Sequence, residues 1–140
     1  MIRGVLVATG PLVAALNRHD RHHQWAKARL AEIALPMLTC EAVLAELCYL
    51  VRTIPGGGEA ALELVRQGVL ELPFRTADHI APLTRLMKKY ADVPMSLADA
   101  CLVRMSELHA DSVLLTLDRD FLIYRRNGRQ VIPTLIPPSA

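Results

Sequence analysis

Short apolar runs alternate along the chain with longer stretches in which apolar residues recur every three or four positions. The first run, Val5-Leu6-Val7, is uninterrupted and partly β-branched, as in a strand buried on both faces of a parallel sheet. Gly10-Pro11 follows and predicts the start of a helix, because proline's fixed φ and missing N–H suit the first helical position. Position 8 therefore lies where a strand's carboxyl end meets a helix N-terminus, the place at which open α/β sheets carry their chemistry. Alanine occupies that position.

The same alternation continues along the chain and predicts further strands that are separated by helices. These strands are Leu35–Leu38, Val69–Leu72 and Ser112–Thr116, with Val131-Ile132 as a last short candidate. The order and the short connections favour an α/β fold in which a parallel β-sheet is flanked by helices on both faces. The prolines after position 132 predict a tail with little regular structure. At 140 residues the chain is most simply one domain, residues 1–140.

Helix starts are predicted from side chains that can accept a hydrogen bond from a free backbone N–H of the first turn. Asp20, Thr39 and Thr76 are candidate caps of the second, third and fifth helices, and Ser96 is the candidate cap of the sixth. The run Gly56–Gly58 is predicted to be a loop between the third and fourth helices.

Composition limits the class of protein without identifying it. Hydrophobic residues make up 52% of the chain and aromatic residues only 4%, so the core is predicted to be aliphatic. No apolar run approaches the roughly 18 residues of a membrane span, and the N-terminus lacks the pattern of a signal peptide. Cys40, Cys48 and Cys101 have no CxxC spacing and are predicted to be buried free thiols. We therefore expect a cytoplasmic protein without a membrane partner.

The net charge of +2 is too small to indicate a nucleic-acid partner by itself. Basic residues are nevertheless concentrated in two regions of the sequence. They are Arg85, Lys88 and Lys89 in the first region, and Arg119, Arg125, Arg126 and Arg129 in the second. A solvated charged surface is the simplest interpretation of either cluster taken alone.

Three carboxylates occupy positions that suggest more than surface charge. Glu46 falls within the apolar stripe of the third predicted helix, where a buried carboxylate is costly unless it is paired or bound to a metal. Asp99 lies in the first turn of a helix, and Asp118, with Asp120 nearby, follows a buried strand directly. In a parallel sheet, the ends of the first and fourth strands share one edge with the starts of the following helices. Carboxylate oxygens gathered there suit a hard cation such as Mg²⁺ or Mn²⁺.

Each of these acids also has a purely structural explanation. Asp99 completes a Ser-x-x-Asp capping box with Ser96. Asp118 is suited to cap a short helix, whose dipole Asp120 would then complement. A different phase of the third helix would place Glu46 at the surface. Taken singly these signals are weak, and it is their order along the chain that carries information.

Four segments together resemble the motifs of PIN domains, and most of all those of the small bacterial VapC-type toxins of toxin–antitoxin pairs. They are Val5–Leu12, Glu46 within its helix, Ser96–Ala100 and Leu115–Phe121. The resemblance covers almost the whole chain, and its last two motifs are the most specific. It implies a PIN-like three-layer sandwich and an endoribonuclease that depends on Mg²⁺ or Mn²⁺. It also implies an RNA substrate (transfer or ribosomal RNA), a cognate antitoxin protein and a homodimer.

The resemblance assigns roles to residues of this chain by their positions in the motifs. The implied catalytic acids are Glu46, Asp99, Asp118 and Asp120, of which the first three would also be metal ligands. The implied supporting hydroxyls are those of Thr9 and Thr116. The basic residues expected to contact RNA are Arg85, Lys88, Lys89 and Arg119.

Position 8 departs from the family pattern, which has an aspartate directly after the first strand where this chain has Ala8. The neighbouring residues keep the pattern, so a shifted alignment does not explain the difference. The chain is then either a natural degenerate member or a variant in which an aspartate was deliberately replaced. The retention of the other acids favours the second explanation. In either case we expect weak metal binding and impaired RNA cleavage.

Two other classes of function are alternatives to a nuclease. A catalytically inactive PIN domain would bind an antitoxin or RNA without cleaving it. A phosphatase with an aspartyl nucleophile is less consistent with the sequence, because it also needs an aspartate after the first strand. The DxD spacing of such an enzyme is absent there.

Overall fold

The structure is a computed structural model that describes residues 1–139. Its strands are Val5–Val7 (β1), Met37–Leu38 (β2), Leu70–Glu71 (β3), Val113–Leu115 (β4), Arg125–Arg126 (β5), Gln130–Val131 (β6) and Thr134–Leu135 (β7). Its helices are Thr9–Leu16 (α1), His23–Ala31 (α2), Glu41–Leu50 (α3), Gly57–Arg66 (α4), Ile80–Lys89 (α5) and Leu97–Leu108 (α6). Two 3-10 helices, Thr76–His79 and Arg119–Leu122, precede α5 and follow β4.

Five parallel strands form the central sheet, in the spatial order β3-β2-β1-β4-β7. All three residues of β1 are fully buried, as expected of a strand at the centre of a sheet covered on both faces. Along its whole length β1 pairs with β4, Val5–Val7 against Val113–Leu115. The predicted α/β fold, a parallel sheet flanked by helices, is confirmed.

The direction in which the chain crosses the sheet reverses after β3. From β1 the chain moves outward through β2 to β3, and it then returns across the sheet to β4 and β7. Right-handed crossovers therefore place α5 and α6 on the face opposite to α1–α4. The carboxyl ends of β1 and β4 consequently border a crevice, which is where sheets of this kind bind their ligands.

Thr39 is not the cap of the third helix, contrary to prediction. The N-cap of α3 is Cys40, and no side chain accepts a hydrogen bond there. The hydroxyl of Thr39 is fully buried and donates instead to the carbonyl oxygen of Val7 at 2.7 Å. This hydrogen bond connects the end of β1 with the segment that precedes α3.

The other predicted helix starts have mixed outcomes. Ser96 caps α6 as predicted, but Asp20 and Thr76 do not cap their helices. The carboxylate of Asp20 accepts a hydrogen bond from the backbone N–H of His22, in the turn before α2, and therefore does not cap the helix. The predicted glycine loop is also too long, because α4 begins at Gly57. A side chain at position 57 would overlap the carbonyl oxygen of Val51, the C-cap of α3, which explains the glycine there.

The C-terminal tail contains more regular structure than predicted. Of the predicted strand at Val131-Ile132, only Val131 lies in a strand, β6, which forms a separate antiparallel hairpin with β5. One edge of the main sheet is β7. Prolines are compatible with this edge because β7 acts as an acceptor toward β4: Leu114 N donates to Pro133 O and Thr116 N to Leu135 O.

The core is largely aliphatic, although Phe121 and Tyr124 are its two largest fully buried side chains. The three cysteines are free, with Cys40 and Cys101 buried and Cys48 half-buried. Within residues 1–139, no helix combines the length and the hydropathy needed to cross a membrane.

We expect Thr39→Val to lower the free energy of unfolding by about 1–3 kcal/mol, because the Val7 carbonyl loses its buried hydroxyl donor while the side-chain volume is kept. Urea unfolding followed by circular dichroism measures the difference. Thr53→Val, which removes an exposed hydroxyl, is the matched control and should change little. Equal effects of the two substitutions would show that the Thr39 hydroxyl does not fasten β1.

Candidate active site

A cavity of about 290 Å³ opens at the carboxyl edge of the sheet, in the crevice bordered by β1 and β4. Its polar lining side chains are Thr9, Glu46, Asp99, Thr116 and Asp118. The structure therefore brings together three acids that are far apart in the sequence, one from α3, one from α6 and one from the segment after β4. No lysine, arginine or histidine is among the residues that line this cavity.

Glu46 lies on α3 and is exposed, so the expectation that its carboxylate lies within a buried apolar stripe is wrong. Val43 and Leu47 are buried, but Leu50 is exposed. The buried face of α3 is therefore narrower than predicted and does not include Glu46. The hydroxyl of Thr9 donates to Glu46 Oε1 at 2.7 Å. Thr9 is the first residue of α1, and its hydrogen bond holds the Glu46 carboxylate at the cavity.

Asp99 lies in the first turn of α6 and is half-buried. It forms a capping box with Ser96: Asp99 N donates to Ser96 Oγ at 3.1 Å, and Ser96 N donates to Asp99 Oδ2 at 3.3 Å. The hydroxyl of Tyr124 donates to the same Oδ2 at 3.0 Å. Burial raises the pKa of Asp99, the hydrogen bonds from Ser96 and Tyr124 lower it, and the charge of Asp118 raises it; the net shift is upward.

Asp118 follows β4 by three residues and is exposed at the cavity. Its backbone N–H donates to the buried hydroxyl of Thr116 at 3.0 Å, and its Oδ1 accepts the backbone N–H of Asp120 at 2.8 Å. Asp118 thus caps the 3-10 helix that follows, as one of the structural explanations predicted. Asp120 does not line the cavity. Partial burial and the neighbouring charge of Asp118 raise the pKa of Asp120.

Each of the three cavity acids uses only one of its carboxylate oxygens for positioning. The second oxygens, Glu46 Oε2, Asp99 Oδ1 and Asp118 Oδ2, accept no hydrogen bond from residues 1–139. Hard oxygen donors of this kind fit a cation such as Mg²⁺ or Mn²⁺ in their chemistry. As they stand, no three histidine, cysteine, aspartate or glutamate side chains of the described part of the chain lie close enough together to hold a metal ion.

Ala8 lies at the base of this arrangement and is only 6% exposed. Its backbone N–H donates to Leu115 O at 3.0 Å, which continues the pairing of β1 with β4 by one further residue. Ala8 is also the N-cap of α1, and no side chain accepts a hydrogen bond at this helix start. A short acidic side chain at position 8 would therefore line the cavity and could also accept hydrogen bonds from the free N–H groups at the start of α1.

The four basic residues predicted to contact RNA are not gathered at this cavity. Arg85 and Lys89, both on α5, line a second cavity on the α5 and α6 side of the molecule. Lys88 and Arg119 are exposed and line neither cavity.

Sequence reasoning missed Tyr124, whose hydroxyl bonds to Asp99. Its ring is fully buried and meets the rings of Tyr90 and Phe121 edge-on, at centroid distances of 5.0 and 5.2 Å. Burial and the negative charge of Asp99 raise the pKa of the Tyr124 hydroxyl, so it remains a donor. No helical or strand spacing connects position 124 with position 99, and the local pattern around Tyr124 therefore gave no signal of this contact.

Known proteins have sequences and structures similar to those of this chain. The family described as PIN domain matches residues 5–127. Ribonuclease VapC26 of Mycobacterium tuberculosis is 30% identical over 118 residues, which is 82% of this chain and 87% of that protein. The crystal structure of M. tuberculosis VapC20, a Sarcin-Ricin loop cleaving toxin, superposes with a TM-score of 0.70 at 25% identity, over 83% of this chain and 91% of VapC20.

A more distant structure shares the fold. VapBC2 from Rickettsia felis, crystallised with a DNA fragment from its promoter, gives a TM-score of 0.60 at 15% identity, over 98% of this chain and all of the matched chain. At this identity the likeness concerns the arrangement of helices and strands alone.

We expect Tyr124→Phe to raise the pKa of Asp99 further, because it removes a hydrogen bond that stabilises the ionised carboxylate. A pKa raised in the folded state favours folding at low pH, and this contribution is lost as the pH rises through the folded pKa. The variant should therefore lose about 0.5–1.5 kcal/mol of stability at neutral pH and less at acidic pH. Carboxyl ¹³C NMR titration and urea unfolding at both pH values measure these effects.

The control is Tyr49→Phe, which removes a hydroxyl from a tyrosine that is 61% exposed. It should leave the Asp99 titration and the pH dependence of stability unchanged. An unchanged Asp99 pKa in Tyr124→Phe would contradict the role assigned to the tyrosine.

Proposed function

The chain belongs to the PIN-domain family, and from this premise we propose that it is an endoribonuclease toxin of a type II toxin–antitoxin pair. The observation that carries the proposal is the convergence of Glu46, Asp99 and Asp118 in one cavity that no basic side chain lines. The similarity to ribonuclease VapC26 and to the toxin VapC20 supports it. The proposed reaction is hydrolysis of a phosphodiester bond in RNA, carried out by residues 1–140 acting as one domain.

We propose that Glu46, Asp99 and Asp118 would hold Mg²⁺ or Mn²⁺ through their unpaired oxygens, with their side chains closer together than they stand in the structure. A divalent cation bound there would lower the pKa of a water molecule and stabilise charge on the phosphate oxygens. The donor atoms fit such an ion in type, but the set is one carboxylate short at position 8. Asp120 is proposed to act from beside the cavity, close enough to Asp118 for the charge of Asp118 to raise the pKa of Asp120.

The remaining polar residues of the cavity have positioning roles in this proposal. Thr9 holds Glu46, and Thr116 holds the backbone of Asp118 at the end of β4. Ser96 and Tyr124 together hold one oxygen of Asp99 and leave its other oxygen free. Such fixed orientations reduce the entropy lost when a cation and a phosphate bind.

The substrate is proposed to be transfer or ribosomal RNA in the cytoplasm. VapC20 is described as cleaving the Sarcin-Ricin loop, and the present chain has a comparable fold. Single-stranded loops and bulges are the parts of RNA that proteins read most readily, because their bases are unstacked. A loop of a structured RNA is therefore the favoured site of cleavage.

A cognate antitoxin protein and a second copy of the chain are the proposed protein partners. Large apolar side chains are exposed on several elements, among them Tyr49, Leu50, Leu62 and Ile80. Exposed apolar surface of this kind is typical of protein interfaces.

Ala8 supports a second candidate function, a PIN domain that binds RNA or its antitoxin without cleaving RNA. A methyl group at this position cannot bind a cation, and it removes one negative charge from the cavity. Restoring the acid distinguishes the two candidates.

We expect Ala8→Asp to increase Mn²⁺-dependent RNA cleavage by about 10–100-fold or more, since even the loss of a residue that only supports a metal ligand typically costs that much. The variant should fold, because aspartate is well suited to the uncapped N-terminus of α1. Cleavage of total RNA and of labelled transcripts is measured with Mn²⁺, with Mg²⁺ and with a chelator.

Ala8→Asn is the control, because it has nearly the size of aspartate without its charge. A second readout is independent of cleavage: Mn²⁺ alone should raise the melting temperature of Ala8→Asp more than that of Ala8→Asn. If Ala8→Asp gains neither cleavage nor stabilisation by Mn²⁺, the assignment of the cavity as a metal-dependent nuclease site is wrong.

A further inference from the structure

A second cavity, of about 310 Å³, lies between α5, the C-terminal half of α6 and the β5–β6 hairpin. Its charged lining residues are Arg85, Lys89, Arg104, Glu107 and Arg125. Four positive charges and one negative charge leave an excess of three positive charges around one concave surface. This is the reverse of the first cavity, which is lined by carboxylates alone among charged groups.

The single carboxylate of the second cavity is already engaged. Glu107 Oε1 accepts from Arg104 Nη1 at 3.0 Å, and its Oε2 accepts the backbone N–H of Asn127 at 2.7 Å. Arg104 in addition donates from Nε to His79 Nδ1 at 3.2 Å. The Arg104–Glu107 pair therefore forms a wall of the cavity and fixes the hairpin against α6.

The other three cations have no carboxylate partner within residues 1–139. Lys89 Nζ donates to the carbonyl of Gly128 at 3.1 Å. Arg125 Nη1 donates to the carbonyl oxygens of Leu122, Ile123 and Tyr124, the nearest at 2.8 Å. Arg85 is exposed, and none of the hydrogen bonds or ion pairs among these residues involves it. Cations held by neutral carbonyls keep their full charge for an external anion.

We propose that this second cavity binds a backbone phosphate of the RNA that the first cavity cleaves. The proposal rests on the proposed function and names the residues that hold its substrate. Arg85 and Lys89 would contact the phosphate directly, and Arg125 would add charge from the cavity wall. Arginine suits this role because its planar guanidinium can contact two phosphate oxygens at once.

The position of the second cavity relative to the first favours RNA as the occupant. Arg125 directly follows Tyr124, whose hydroxyl donates to Asp99, so the two cavities are linked by consecutive residues. Arg104 and Glu107 lie five and eight residues after Asp99 on α6, about 8 and 12 Å along the helix. A polynucleotide is an anion long enough to reach both cavities at once.

The charge of the first cavity supplies a further argument. Its carboxylates repel the phosphate groups of an approaching strand, and no basic residue lines it to counter this. Without a bound cation, attraction of the RNA must therefore come from elsewhere on the surface, and phosphate contacts are the main source of affinity for nucleic acids. The second cavity is a concave cationic surface and meets this requirement.

The test is binding of a fluorescein-labelled oligouridylate to the chain with Ala8, in a chelator, measured by fluorescence anisotropy over a range of salt concentrations. We expect Arg85→Ala/Lys89→Ala to weaken binding roughly tenfold or more at about 0.1 M salt. The slope of log K against log salt should fall by about 1.4, because each lost phosphate contact on a single strand removes about 0.7. Inorganic phosphate at constant ionic strength should compete only weakly.

Two matched variants control for net charge and folding. Arg3→Ala/Lys27→Ala removes the same residue types from exposed positions outside both cavities and should leave the slope unchanged. Arg85→Lys/Lys89→Arg keeps the charges and should retain binding.

The proposal is overturned if Arg85→Ala/Lys89→Ala binds the oligouridylate normally, or if the Arg3→Ala/Lys27→Ala control loses as much affinity. Loss of antitoxin binding with unchanged RNA affinity would assign the cavity to an acidic protein segment and would also overturn it. Because the assay needs neither metal nor cleavage, its outcome is independent of the Ala8→Asp experiment. A failure of the phosphate site is thus distinguishable from a failure of the nuclease assignment.

Discussion

The pairing of β1 with β4 is the constraint on which the candidate site depends. These strands are distant in sequence and parallel in space, and three registered residue pairs hold them together. Their carboxyl ends therefore finish at one level, with Ala8 hydrogen-bonded to Leu115 and Thr116 directly after it. Because the chain crosses the sheet in opposite directions on either side of this pair, the helices that follow diverge and leave a crevice. A slip of one residue in this register would turn every side chain of β4 to the other face.

The two cavities separate opposite charges. Carboxylates gather where β1 and β4 end, and arginine and lysine gather beside the C-terminal half of α6. Opposite charges placed in direct contact would pair with one another and be lost to any ligand. Tyr124 and Tyr90 separate the two groups: the Tyr124 hydroxyl donates to Asp99, and the Tyr90 hydroxyl accepts the backbone N–H of Arg125. Each aromatic ring thus provides an apolar spacer with one polar contact.

The sequence was sufficient for the fold class and for the gathering of the acids, because both follow from the order of strands and helices. It was insufficient wherever a side chain chooses between a local and a distant partner. The side chain of Thr39 is of a type that caps helices, but its buried hydroxyl donates instead to the carbonyl oxygen of Val7. The predicted buried face of α3 was wrong for a related reason. Leu50 is apolar but exposed, and Glu46, on the same side of the helix, is exposed as well. Such choices depend on tertiary neighbours that no local pattern contains.

Asp99 shows why a structural and a chemical explanation of one residue need not compete. Capping α6 requires a single oxygen, and Oδ2 serves both Ser96 and Tyr124. These two donors fix the carboxylate in one orientation, so its Oδ1 is held in place without being consumed. An acid free of the cap would sample several rotamers and would lose that entropy when it bound a cation. The capping box is therefore compatible with the proposed role of Asp99 as a metal ligand, because it holds the carboxylate in place and leaves Oδ1 free.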